Sequence, residues 1–589
     1  MSYTGKWIHI DLSTGKHIIG DTDKALLEKY IGGKGLGFAL LEQMAPSPEP
    51  FGPDNPMIFV NGPFTGTRIQ TSARTSLVTR SPLTGSIHDS HCGGHFGPAL
   101  KRAGYDYLII TGKSEKPVYI YLTDEKIEIK DASSFWGKGI FFTNDGLLKL
   151  HSGNNPSVAT IGPAGENLSK IACIGVEKYR QFGRGGVGAV MGSKNLKAIV
   201  VDGNDPIKYY DEEKFMELNR LLTKDIVNHE KIKFRRQKGT MMWIRMGQED
   251  YNFLPTKNFQ KCQFDGYEGI TSETCRRVLN WKDTGCYSCG IMCAKLARWD
   301  GHELEGPEYE TTAFLGSGCE ISDCKDVALA NIICDDLGLD TISAGITCSF
   351  AMECYDKGLL EDWEGLELEW GNAPAQRELL KLMVYKKGIG KIFSDGTRDA
   401  SRIIGKGSEE FAINTFGMEI SGVNIKGCLT MAVAMAVADF ASHTRLWLTE
   451  GQMGPDFKIE DIPLAVLEGL DEINTRNCLV ICDFVPYGFD RLVPILNAAT
   501  GFNHTPESLM EIGARITNLA RRYNLRNGRK HTDDIIPERF FKEESVSGFM
   551  KGKILSKDFF KGLIHKYYAL RGWNEKGEPT EEVLKKYGL

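Results

Sequence analysis

AIVVDGNDPIKYYDEEKFMELNRLL, residues 198–222, holds the change of pattern on which the fold turns. Residues 198–202 are a short apolar β-type run closed by a glycine turn, whereas residues 211–222 follow helical periodicity. Upstream, similar short runs recur at 7–11, 57–60, 107–111 and 118–122 between glycine turns. Downstream, residues 323–337 read as a helix that runs into GLDTIS. EEFAINTFGMEISG, residues 409–422, interrupts the helical pattern with a short extended run and two glycines. Beyond Asn503 a further helix is signalled by Thr505 as cap, Pro506 at the first helical position and an apolar stripe of Leu509, Ile512, Ile516, Leu519 and Tyr523. That stripe is core. The expected fold class is therefore an α+β multidomain chain with a β-rich base at 1–207, a mainly helical domain at 208–413 and a second at 414–589. A chain of 589 residues exceeds what one hydrophobic core organises, and it carries neither internal repeat nor low-complexity tract.

Charge and composition exclude several function classes. The formal charge of -6 is small for this length, so nucleic acid is not the expected partner. No apolar run reaches the roughly 20 residues of a membrane span, and MSYTGKWIHIDLSTGK reads as a polar hairpin without a signal-peptide core. A cytoplasmic location is expected. Fifteen cysteines in such a chain point to reduced thiols, some of them ligands, rather than to a disulfide framework.

GCYSCGIMC spaces Cys286, Cys289 and Cys293 so that three thiolates converge from one tight loop on a single centre. Structural zinc needs a second close Cys or His pair, and none follows nearby, so the spacing favours iron and sulfur. A fourth ligand must come from far along the chain. Cys478 and Cys482 in NCLVICDF, after an apolar helical stretch that starts near Leu464, both qualify on spacing. Other cysteines, such as Cys173, Cys348 and Cys354, read as small buried residues.

Two segments have bare backbone, HCGGHFG and YRQFGRGGVGAVMGSKNLKAI, the second interleaved with Arg180, Arg184, Lys194 and Lys197. Such turns let amide groups and cations approach phosphates. The second segment has neither Walker lysine and serine placement nor dinucleotide spacing.

With those residues in view, the chain resembles the tungsten-containing aldehyde ferredoxin oxidoreductase family from GKWIHIDLSTGK to LRGWNEKGEPTEEVLKKYGL. The segments that carry the resemblance are GPFTGT, TRSPLTG, CGGHFG, LKRAGYD, IGPAGENL, GRGGVGAVMGSKNLKAI, CYSCGIMC, EGPEYET and CDDLGLDTIS. It implies a β-rich base that binds two pterin dithiolenes holding one tungsten, with two helical domains closing over it and no side chain on the metal. Molybdenum fits the same dithiolene set. It further implies one 4Fe-4S cluster on Cys286, Cys289, Cys293 and Cys482, with ICDF matching the late cysteine segment and Cys478 a bystander. Pterin contacts are implied for Arg74, His91, Gly93, Arg180, Gln181, Gly183, Arg184, Asp335 and Leu339, with Asn477 and Ile481 in an echo of the second motif and Arg445 on the pterin side. The echo departs from the family pattern, with Asn477 in place of an aspartate and Val480 in place of a glycine. His91 stands where the family often has an asparagine near the Mg2+ that joins the pterin phosphates, which alters that shell.

The implied reaction oxidises an aldehyde to a carboxylic acid. Glu310 in GPEYET is expected to activate water or handle the proton, and His443 in ADFASHTRL to donate to the carbonyl oxygen. Electrons are expected to pass through the cluster to ferredoxin or to a small iron-sulfur subunit. Some family members join two subunits through an iron held by a Glu and a His; Leu329 and Ile332 occupy those positions here, so a hetero-oligomer is expected rather than an iron-bridged homodimer. The competing expectations are an acyl-CoA or carboxylate reductase subunit of the same superfamily and a non-catalytic iron-sulfur carrier. Phe440 and Trp447 are candidates for the substrate wall or for core.

Overall fold

The computed structural model describes residues 1–152, 155–426, 428–439, 458–544 and 551–589. Its first part contains β1 (Lys6–Asp11), β2 (Lys16–Asp21), β3 (Met57–Val60), β4 (Thr75–Arg80), β5 (Ile87–Cys92) and β6 (Tyr107–Thr111), which form one sheet in the order β2-β1-β6-β3-β4-β5. A second sheet contains β7 (Val118–Thr123), β8 (Ile127–Asp131), β9 (Ser157–Ile161), β10 (Ile174–Val176), β11 (Arg180–Phe182) and β12 (Leu196–Asp202), in the order β11-β10-β9-β12-β7-β8. β1 and β2 make the antiparallel hairpin expected at the start of the chain. β3 and β12 are buried along their whole length, which is why β3 and residues 198–201 of β12 read as continuous apolar runs rather than alternating ones.

Both sheets contribute to one apolar cluster that includes Ile8, Phe59, Phe96, Phe182, Val190 and Ile199. Phe59 lies 5.6 Å from Phe96 and 5.5 Å from Phe182 between ring centroids, the second pair edge-on. Each ring fully removed from water contributes about 2–3 kcal/mol. The two sheets are thereby packed on one another, and turns of the base at Gly93 and Gly183 border an internal cavity.

Helices follow, among them Glu212–Asn228, Cys324–Leu337, Thr341–Asp356, Ile462–Leu479 and Pro506–Arg526. The last begins with a capping box between Thr505 and Ser508. The region expected to be mostly helical also holds a three-stranded antiparallel sheet of β13 (Lys282–Thr284), β14 (Ala294–Trp299) and β15 (His302–Glu305). β13 and β14 flank the cysteine loop and pair through Thr284 and Ala294, so the loop is clamped at its base. Short strands alternating poorly between faces hid this sheet from periodicity. Within 409–422 the extended run is a two-residue hairpin, Asn414–Thr415 against Met418–Glu419.

Helix Ile462–Leu479 lies on helix Gly33–Met44 of the base. The approach is close: a Cβ on Gly35 would stand 2.7 Å from the Cys478 sulfur. No helix among the described residues is long and apolar enough to cross a membrane.

Candidate active site

The cysteine loop is fastened to the base by backbone and side-chain bonds. Thr71 N–H donates to Ser288 O at 2.8 Å, Gly290 N–H to Gln70 Oε1 at 2.6 Å, and Ser288 Oγ to Ile69 O at 3.2 Å. Lys295 Nζ donates to the carbonyl oxygens of Met292 and Cys293 at 3.0 and 2.9 Å. Ser288 and Met292 have φ of 48° and 51°, the left-handed backbone that the tight loop requires. Cys286, Cys289, Cys293 and Cys482 are all half-buried, whereas the remaining cysteines, Cys478 among them, are buried. Arg74 Nη2 lies 3.4 Å from the Cys482 sulfur. Burial pushes the Cys289 thiol up to about 11 and raises that of Cys293, so loading of a metal centre must expel protons. Among the described residues no three His, Cys, Asp or Glu side chains close round a single ion.

These four thiols line one internal cavity of about 1160 Å³ together with Arg74, His91, Gly93, Arg180, Gln181, Gly183, Arg184, Glu310, Asp335 and Leu339. The arginines are held in place by carboxylates. Arg184 Nε lies 2.9 Å from Asp340 Oδ2, and its Nη2 donates to Glu419 O at 2.7 Å. Arg180 pairs with Glu305, and Arg74 lies 4.0 Å from Asp483. Gln181 Nε2 and Asn331 Nδ2 donate to the two oxygens of Asp335 at 2.8 and 2.9 Å. His91 Nε2 lies 2.6 Å from Asp89 Oδ2, and Lys34 bridges Asp89 and Asp439 at 3.4 and 2.7 Å, deep in the fold. A Cβ on Gly183 would meet nothing within 4 Å, so that backbone looks onto open cavity. Guanidinium groups around bare backbone suit a large ligand with phosphates.

Glu310 sits in the first turn of helix Tyr309–Leu315. Its Oε2 accepts from Gly422 N–H at 2.8 Å, and its Oε1 is buried without a hydrogen-bond partner among the described residues. The surface it does expose faces the cavity. Burial pushes its carboxyl up to about 7, against the pull of Arg184 and the Gly422 N–H, with Asp340 adding to the rise. A carboxyl poised there exchanges a proton near neutrality. Any side chain at 422 would displace it: a Cβ would stand 2.7 Å from the Tyr309 ring and 2.9 Å from Glu310 Oε2.

Two expected contacts are not in the cavity. Asn477 and Ile481 are fully buried, Ile481 within the apolar cluster shared with the base, and neither lines the cavity. The cause is the tight seat of this turn on the base, where a Cβ on Gly33 would stand 2.3 Å from Asn477 O. His443, Arg445, Phe440 and Trp447 lie outside the described residues. Conversely, Asp340, Glu305, Asn331 and Gly422 fix the charged wall and were not singled out by sequence. Asp340 and Glu305 stand in quoted motifs, yet only tertiary pairing shows what they hold.

The model of the N-terminal domain of aldehyde ferredoxin oxidoreductase matches residues 7–203, and that of its domains 2 and 3 matches residues 217–589. The chain belongs to the aldehyde ferredoxin oxidoreductase family. It is an enzyme of the oxidoreductase class. The tungsten-containing aldehyde ferredoxin oxidoreductase of Pyrococcus furiosus is 35% identical over 99% of this chain and 98% of its own length. From the same organism, the WOR-like subunit of an aliphatic sulfonate oxidoreductase is 32% identical over 100% and 97%. Among solved structures, the active site complex BamBC of benzoyl coenzyme A reductase with 1,5-dienoyl-CoA superposes with a TM-score of 0.88 at 26% identity, covering 100% of this chain and 97% of that one. The aldehyde ferredoxin oxidoreductase family thus spans both base and helical parts of the chain, including every cavity-lining motif quoted above.

Proposed function

We propose that this chain is the catalytic subunit of a tungsten-bis-pterin enzyme that oxidises aldehydes to carboxylic acids and passes electrons through one 4Fe-4S cluster to ferredoxin or an iron-sulfur partner. The observation that carries this is the shared cavity: a carboxyl tuned to about 7, three arginines over bare backbone, and four half-buried thiols border one space. Arg74, Arg180, Arg184 and the backbone at Gly93 and Gly183 would hold the pterin phosphates, with Mg2+ joining them and Asp335 and Leu339 facing the same group. When bound, the tungstopterin supplies the two-electron acceptor. Cys286, Cys289, Cys293 and Cys482 would anchor the cluster, with Arg74 offsetting the thiolate charge at Cys482.

Aldehyde and one water give carboxylic acid, two protons and two electrons. Glu310 in its carboxylate form takes the proton from the attacking water, while the Gly422 N–H holds its Oε2 and fixes the orientation of the carboxyl at the cavity wall. His443 donates to the carbonyl oxygen in this scheme. A non-catalytic carrier has no use for a buried carboxyl that has one oxygen unpartnered among the described residues. The second reading, an acyl-CoA or carboxylate reductase, draws on the likeness to benzoyl coenzyme A reductase; the higher identity to the aldehyde enzyme favours the first.

The test uses anaerobically purified protein with its metals quantified. Glu310→Gln lowers aldehyde-dependent viologen reduction by about 10²–10⁴-fold, with metal content unchanged, and His443→Ala also lowers it. Near-normal rates in both variants, or a preparation without tungsten or molybdenum, would overturn the assignment.

A further inference from the structure

Electrons that reach the cysteine loop must leave through the surface above it, and that surface is strongly biased in charge. Residues 224–238, KDIVNHEKIKFRRQK, carry six Lys and Arg against two acidic residues, on a chain whose total charge is -6. They run from the end of helix Glu212–Asn228 through the nine-residue helix Glu230–Lys238. Both acidic residues are already paired, Glu230 with Lys233 at 2.8 Å and Asp225 with Arg491. Lys224, Lys231 and Lys233 are exposed, and two apolar side chains stand out among them, Val227 at 48% and Phe234 at 44% exposure.

This segment is joined to the thiols rather than merely near them. Arg236 Nη2 donates to the carbonyl of Gly290, next to Cys289. The Arg235 guanidinium stacks 4.0 Å above the Phe484 ring, two residues from Cys482. Lys231, Ile232 and Arg235 border the same cavity as Cys289 and Cys482. A cationic rim around an exposed phenyl ring steers an anionic protein and then gives it a dry contact. We propose that residues 224–238 are the docking face for an acidic iron-sulfur electron acceptor. The proposal rests on the electron path assigned above, and it adds where that path leaves the molecule and what charge receives it.

The experiment measures binding, not turnover. Immobilised holoenzyme is titrated anaerobically with a small acidic 4Fe-4S ferredoxin, and Kd is read by biolayer interferometry. From low salt to about 0.3 M, Kd weakens by about tenfold. Lys224→Glu with Lys233→Glu weakens it by about tenfold at low salt, and Phe234→Ser by about fivefold. Viologen reduction by these variants stays at the parent rate, since none of the three residues lines the cavity. Absence of binding by the parent, insensitivity to salt, variants that bind like the parent, or a fall of viologen reduction in step with binding would each overturn the proposal. Salt-dependent binding by a parent that reduces no dye with aldehydes would keep the docking face and remove the aldehyde assignment.

Discussion

Two helices end beside the cavity with the same backbone turn and opposite outcomes. Helix Cys324–Leu337 closes on Gly338 at φ 84°, and helix Ile462–Leu479 on Val480 at φ 55°, both left-handed. At the first, Asp335 reaches the cavity and is held by Gln181 and Asn331. At the second, Asn477 lies buried with both amide atoms lacking hydrogen-bond partners among the described residues, and the next cavity contact is Cys482. One turn presents a carboxyl to the cavity, while the other packs its polar side chain in the core and brings a thiol to the cavity wall. Val480 occupies a left-handed conformation that β-branched residues avoid and glycine adopts freely.

That contrast makes predictions of decreasing size. Gly338→Val imposes on the first turn the residue of the second, and its Cβ would stand 3.0 Å from Gly162 N. It should cost about 3 kcal/mol, visible as a lower denaturation midpoint; an unchanged midpoint would mean that the two turns tolerate side chains equally. Asp335→Leu strands the buried donor of Asn331 and the half-buried one of Gln181 and should cost about 2 kcal/mol. Asn477→Leu removes two partnerless polar atoms and should be neutral or stabilising by about 1 kcal/mol. If Asn477→Leu instead strips pterin from the purified protein, the second turn does face the cofactor.

A fourth prediction concerns charge at the first turn. Asp340 holds Arg184 and helps to raise Glu310. Asp340→Asn keeps the cap on helix Thr341–Asp356 but lets Arg184 act more fully on Glu310. The pH midpoint of aldehyde-dependent viologen reduction, on its rising limb near 7, should then move to lower pH by about half a unit, worth about 0.7 kcal/mol. A shift to higher pH would contradict the assigned ionic coupling. Stability follows with its own sign. Glu310 has a folded value above its unfolded one, so its contribution is present at low pH and is lost as pH rises through about 7. Glu310→Gln should therefore flatten the decline of stability across that interval. Smallest of all, Val480→Gly relieves the strained dihedral but gives up a buried side chain, and the change should lie within about 0.5 kcal/mol of zero.

How much of this was legible in the sequence depended on the range of the contacts. Local patterns gave the β-rich base, the switch to helices after residue 202 and the cap at Thr505, because each is set by neighbours in the chain. The cysteine loop was legible for the same reason, but its clamp of β13 and β14 was not, since strands of three and six residues leave little periodicity. Fourteen of the eighteen expected site residues border the cavity, two do not, and two lie outside the described residues. Asn477 and Ile481 lie in the core beside the cavity rather than on its wall, because a motif echo fixes backbone shape without fixing which side of the turn meets solvent, ligand or core. Asp340, Glu305 and Gly422 were missed because their work is done on Arg184, Arg180 and Glu310, each far away in sequence.

The bonds from Ile69, Gln70 and Thr71 to the cysteine loop have a further consequence, for maturation. The loop acquires its shape only against a surface made by residues synthesised some two hundred positions earlier, and Cys482 arrives almost two hundred positions later. If these four thiols anchor a cluster as proposed, its insertion waits until residues 69–71, the loop at 286–293 and Cys482 have come together, and a nascent chain that stops short of Cys482 holds at most a three-thiol fragment of the site.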